Sequence, residues 1–184
     1  MAIDTTGTIA LIPGLPVYRK NSGVILNAKM RGFAADLYRR SMVPIVITSG
    51  TRTTSAQASA MRTKLDLDED LHALYAQDDL VSEILAGNTS QGGIQATLDR
   101  QVARGRYISR HMRADAIDVR TAGATPTEIG KLRAAMEATG TKHIFEAVPL
   151  HLHIEGIGAQ YTALDPYVIG GAAVSVAGFW WLTR

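Results

Sequence analysis

Five histidines occur in the chain, and three of them stand where they could hold or serve a metal ion. His151 and His153 are two apart in "LHLHIEG". On a strand, alternate side chains leave the same face, so both rings and the carboxylate of Glu155 would share one surface. Imidazole nitrogens suit zinc, and a strand fixes their separation. His111 and Asp118 lie in "SRHMRADAID", residues 109–118. That stretch reads either as a polar turn leading into a strand or as half of a metal site. With a third ligand from a distant strand it would leave one coordination position for water, as in a hydrolytic zinc centre. Asp115 and Asp118 differ by an odd number, so on a strand only one faces the site. Asp118 follows an apolar neighbour and is the inward candidate, while Asp115 reads as a solvated turn carboxylate. His72 and His143 have no partners in sequence and read as structural or exposed.

Several elements must position these groups. Leu26, Met30, Phe33 and Leu37 recur at spacings of four, three and four, which predicts an amphipathic helix over 24–40. The β-branched run in "VPIVIT", residues 43–48, predicts a buried strand that ends at the glycine turn "SGTRT". Thr54 with Gln57 has the form of a capping box opening a helix to about Lys64. Residues 66–105 read as helices and loops, interrupted by "AGNTSQGG". "ADAIDVR" alternates around Ile117 and Val119 and predicts a short strand. In "TPTEIGKLRAAMEATG", Thr125 caps, Pro126 fits the first turn, Glu128 completes the box and Gly140 stops the helix. Its apolar face is Ile129, Leu132 and Met136. "HIFEAVP" and "LHLHIEG" predict two strands around Pro149. Strands and helices mix without regular alternation, so the expected class is α+β.

Composition bounds the rest. The chain has 184 residues, 46% of them hydrophobic and 20% charged, which fits one domain with a real core and excludes intrinsic disorder. There are no cysteines, so disulfides and thiolate metal sites are excluded and a metal would need His, Asp or Glu. Net charge is only +2, so nucleic acid is not an expected partner. Arg104, Arg106, Arg110, Arg113 and Arg120 cluster, and read either as a solvated basic face or as an anion site. The N-terminal "MAIDTTGTIALIPGLP" lacks the pattern of a secretory signal peptide. The C-terminal region is different in kind: eighteen uncharged residues lie between Asp165 and Arg184. Tyr161 and Tyr167 stand at one end and Trp180 and Trp181 at the other, as at membrane interfaces. Ala173 and Ala177, with Gly171 and Ser175, recur at four-residue spacing. The run would extend roughly 25 Å as a helix. It reads as a candidate transmembrane anchor, or else as a buried C-terminal helix or strand pair. The expected division is a domain over 1–160 and an apolar segment over 161–184.

"SRHMRADAID" resembles the S-x-H-x-x-G-x-A-x-D motif of zinc D-Ala-D-Ala carboxypeptidases and phage L-alanoyl-D-glutamate endopeptidases, which share the Hedgehog/DD-peptidase fold. Ser109, His111, Ala116 and Asp118 match, and Ala114 stands where the family usually has glycine. Upstream, "SGTRTTSAQ" is similar to the family's S-G-x-R-S-x-x-x-Q, with Arg52 and Gln57 in register. Downstream, "HLHIE" resembles the motif that carries the third ligand. The three motifs keep the family's order and cover about residues 24–156.

The resemblance implies a small antiparallel sheet flanked by helices and a zinc ion held by His111, Asp118 and His153. Arg52 would bind a substrate carboxylate or steady an oxyanion, with Ser109 also at the substrate. Gln57 reads as a helix-cap partner. Many relatives carry a proton-transferring residue three before the last ligand, where this chain has Leu150. His151 is the substitute, since imidazole titrates near pH ~6.5; Glu146 and Glu155 are the other candidates. The implied activity is hydrolysis of peptide stems or cross-links of bacterial peptidoglycan by a phage-type or virion-associated lysin, acting at the cell wall. The alternatives are an inactive structural or binding protein on the same fold, such as a virion component, and a metal hydrolase of phosphoesters.

Overall fold

Asn27 sets where the first helix begins. Its side chain accepts from the Met30 N–H and caps α1 (Ala28–Ser41), four residues later than apolar spacing alone suggests. The buried stripe of α1 includes Met30, Phe33, Ala34 and Leu37. The structure, a computed structural model, describes residue 3, residues 5–147 and residues 150–165. Among the described residues it is mixed α+β, with a six-stranded sheet and six α-helices. The strands are β1 (Ile9–Ala10), β2 (Val17–Arg19), β3 (Ile45–Ser49), β4 (Ala116–Arg120), β5 (Lys142–Ala147) and β6 (Leu150–Glu155). They lie in the order β1-β2-β3-β4-β6-β5. All neighbours are antiparallel except β2 and β3, so the sheet is mixed rather than wholly antiparallel.

Alternation decides what each face of the sheet does. Ile117 and Val119 of β4, with Leu152 and Ile154 of β6, are fully buried in the main core. That core also takes Phe33 and Leu37 of α1, and Leu132 and Met136 of α6 (Pro126–Thr139). In α6 the Thr125–Glu128 capping box forms as expected, and Gly140 ends the helix with φ 69°. The opposite face of β4 and β6 therefore carries the polar residues at the alternate positions.

A second hydrophobic cluster belongs to four helices inserted between β3 and β4. These are α2 (Thr54–Asp66), α3 (Leu71–Leu74), α4 (Asp78–Leu85) and α5 (Gln91–Ala103). Met61, Leu71, Leu80, Ile84, Ile94 and Leu98 pack there with Ile108. The cap of α2 is Thr53, whose side chain accepts from Ala56 N–H; Thr54 is already helical. Gln57 consequently turns inward and is fully buried instead of serving the cap. "AGNTSQGG" interrupts the helical run as expected: α4 ends at Leu85 and α5 begins at Gln91, with Ser90 as its cap and Gly92 and Gly93 in its first turn.

Ala159–Leu164 form a 3-10 helix against α1. Tyr161 meets Phe33 edge-on with ring centroids 5.1 Å apart. The approach is close enough that a Cβ on Gly32 would fall 1.9 Å from the Tyr161 carbonyl oxygen. The buried Asp165 carboxylate accepts from Arg31 at 2.5 Å. Residues 161–165 thus pack on the domain, and no described helix is long and apolar enough to cross a membrane. The remainder of the apolar segment, with Tyr167 and the Trp180–Trp181 pair, lies outside the described residues.

Candidate metal centre

His111, Asp118 and His153 are brought together, and each offers a ligand atom within 4.8 Å of the others. Three separate elements supply them. Asp118 on β4 lies directly opposite His153 on β6, so the antiparallel register puts both on the polar face. His111 comes from a 3-10 turn, Arg110–Arg113, whose N-cap is Ser109. The Ser109 hydroxyl accepts from the His111 N–H at 3.2 Å, so its visible role is to shape the turn. The turn closes at Ala114, which sits in the left-handed region with φ 55°. This is the position where the resembled motif has glycine, the residue for which that conformation is least strained.

Hydrogen bonds orient the rings. His111 Nδ1 lies 2.7 Å from the Gly50 carbonyl oxygen and donates to it, which leaves Nε2 facing Asp118 Oδ1 at 3.2 Å. An imidazole fixed in this way by a backbone carbonyl is the usual support of a metal-ligating histidine. Gly50 can take its place only because it lacks a side chain: a Cβ there would stand 2.2 Å from the Ile25 carbonyl oxygen. His153 Nδ1 is 2.8 Å from the same Asp118 oxygen. Burial pushes the Asp118 carboxyl up, but the bonds and charges of His111 and His153 outweigh it and hold the group well below the usual carboxylate range.

Arg52 reaches the other carboxylate oxygen. Its Nη2 is 3.3 Å from Asp118 Oδ2, while Nε donates to Ser49 Oγ at 3.1 Å and Nη1 to Gln57 Oε1 at 3.5 Å. Gln57, itself in α2, in turn donates to the Tyr75 hydroxyl at 2.9 Å, a bond within the helical insertion. A register shift between Ile47 and Ser49 brings Ser49 opposite Asp118.

The metal group opens into a groove of about 690 Å³ between the polar sheet face and the helical insertion. His151 lines it, with Nε2 3.8 Å from Asp118 Oδ1. Glu155 lines it too, and its Oε2 accepts from Arg110 Nε at 3.1 Å. Glu146 is paired in register with His151, but its side chain lies outside the described residues. Leu150 is 45% exposed at the start of β6. Asp115 is turned away and paired with Arg110 and Arg113. His72 lies by exposed Asp78, and His143 pairs in register with Ile154, outside the metal group. The arginine cluster is largely tied to carboxylates: Arg104 to Glu83, Arg106 to Asp79 and Arg110 to Glu155.

Sequence reasoning missed Gly50, Lys20, Tyr75 and Lys142 as parts of the site. Gly50 was legible only as a turn residue; the other three reach the groove through tertiary placement and carry no local signal. No protein-family model, curated protein or solved structure matches the chain.

Proposed function

We propose that the protein is a zinc-dependent peptidase acting on the peptide stems or cross-links of bacterial peptidoglycan. The observation that carries this reading is the convergence of two histidines and one carboxylate from three elements on an open groove, with His111 oriented by the Gly50 carbonyl. Two imidazoles and one carboxylate suit zinc better than a hard cation, which would take more oxygen ligands. Zinc in such a donor set supplies Lewis-acid polarisation of a carbonyl and a more acidic water. The resemblance of the three motifs to cell-wall peptidases supplies the substrate class, and a phage-type lysin is the setting it favours.

The chain's own groups have separable tasks. His151 would accept the proton of the attacking water at Nε2 and return it to the leaving amine. It lies beside the metal group, whereas Glu155 is engaged by Arg110. Arg52 has three of its N–H groups engaged by Ser49, Gln57 and Asp118, which fixes its plane. The fork retains about two further donors for a carboxylate or an oxyanion. The buried Gln57 holds that orientation from behind.

The test is incubation of the protein with purified sacculi, with and without chelator, and mass identification of the released fragments. Peptide fragments released by wild type, and lost with chelator or with His111→Ala or His153→Ala, are expected. Unchanged release by either variant would sink the proposal.

A further inference from the structure

We propose that the groove binds an extended acidic peptide laid across the strands, with Lys20 and Lys142 pairing to carboxylates on either side of the metal group. This deepens the peptidase reading and rests on it for the ligand being a peptide. Among the described side chains, five basic residues line the groove, Lys20, Arg52, Lys64, Arg110 and Lys142, against the carboxylates of Asp118 and Glu155. Three of those cations already have partners: Arg52 with Asp118, Lys64 with Glu69 and Arg110 with Glu155. Among the described residues, Lys20 and Lys142 are exposed and no ion pair involves them. A bound metal ion would add further positive charge at the centre.

Their placement gives the ligand a length. Lys20 follows β2, and its backbone N–H donates to Ile47 of β3; Lys142 begins the edge strand β5. Four inter-strand steps separate β2 from β5, which is about 19 Å at ~4.8 Å each. An extended chain advances ~3.3 Å per residue, so about six residues bridge the two lysines. Asp118 and His153 lie on the strands between them, β4 and β6. A bond held at the metal group would therefore have carboxylates about two or three residues away on each side. Ile144, 54% exposed on β5, and Leu74, 45% exposed on the insertion, give the intervening residues apolar contact. A phosphate ligand would call for donors gathered at one point, and the two free ammonium groups stand at opposite ends.

The probe is a fluorescein-labelled, end-blocked hexapeptide, Glu-Ala-Ala-Ala-Ala-Glu, compared with its Gln counterpart. Anisotropy is read on the full chain at low ionic strength, with chelator present so that nothing is cleaved. The acidic peptide is expected to bind about tenfold more tightly, with the preference lost in high salt. Lys20→Gln and Lys142→Gln should each weaken it about threefold, and the double variant should bind both peptides alike. Lys131→Gln, on the far side of the sheet in α6, should change nothing. Equal binding of the two peptides, or a preference that survives the double substitution, overturns the proposal. So does displacement of the acidic peptide by inorganic phosphate at lower concentration than by unlabelled peptide. Binding as described together with inert sacculi would overturn the peptidase reading and leave this one standing.

Discussion

The Asp118 carboxylate is shared among four side chains, and that sharing sets how the site responds to acid. Oδ1 takes His153 at 2.8 Å, His111 at 3.2 Å and His151 at 3.8 Å, while Oδ2 faces Arg52 at 3.3 Å. Burial alone would favour the neutral acid, yet the two histidines hold it ionised well below the usual range. A carboxyl whose folded pKa is depressed contributes stability that is fully present above the unfolded value, about 3.9 for Asp. The contribution is lost as pH falls below that value toward the lowered one. Measured by urea unfolding with chelator present, the wild type should therefore lose stability relative to Asp118→Asn as pH is lowered from about 5 to about 2.5. A constant difference across the whole range would mean that Asp118 is not held as its contacts imply.

Elements that carry their own signals were readable from sequence, and those fixed by distant partners were not. The turn that delivers His111 shows both. Ser109 and Ala114 bound it, and Ala114 pays for its left-handed φ of 55° with a Cβ that crowds the backbone. Relief of ~1–2 kcal/mol is offset by the ~0.5–1 kcal/mol that glycine loses in the unfolded chain. Ala114→Gly should thus stabilise the protein by about 0.5–1 kcal/mol, read as a higher urea midpoint at unchanged slope. A lower midpoint would show that the methyl packing of Ala114 outweighs its strain. Elsewhere, α6 was legible because Thr125, Glu128 and Gly140 act on adjacent backbone, and β4 and β6 because their residues alternate. The start of α2 was set one residue late because Thr53 and Thr54 are chemically the same, and only the fold chooses which one turns outward. Strands β1 and β2 had no readable period: they span two and three residues, and Pro13 and Pro16 lie between them. Their place comes from pairing, above all the parallel register of β2 on β3. The triad could be proposed from motif order, but its support by Gly50 and Gln57 depends on contacts across 61 residues and on a helix start that the sequence misplaced.

At the scale of the molecule, the metal group stands where two hydrophobic clusters meet. One cluster joins the sheet to α1 and α6, and the other lies within the helical insertion. His111 follows directly on that insertion, while Asp118 and His153 belong to the sheet. Among the described residues, the hydrogen bond from Arg52, which follows β3, to Gln57 of α2 links the sheet side to the insertion, and Arg52 also reaches Asp118. An ion held by all three ligands would bind the folded chain and not the unfolded one, because the unfolded chain does not gather them. Its stabilisation grows with free ion, reaching ~2.7 kcal/mol at a hundred times the Kd and ~4.1 kcal/mol at a thousand times. For a chain of this size each kcal/mol moves Tm by ~2–4 °C, so chelation should lower Tm by about 5–15 °C. In His153→Ala the chelator should have no effect, while His72→Ala, outside the group, should keep the full shift. Hydrogen exchange adds a spatial reading: on chelation, protection should fall in residues 110–113 and in β4 and β6 before it falls in α1, which packs on the far side of the sheet. Uniform loss across both clusters would instead mean that the ion supports the whole fold, and that the insertion and the sheet do not open separately at the groove.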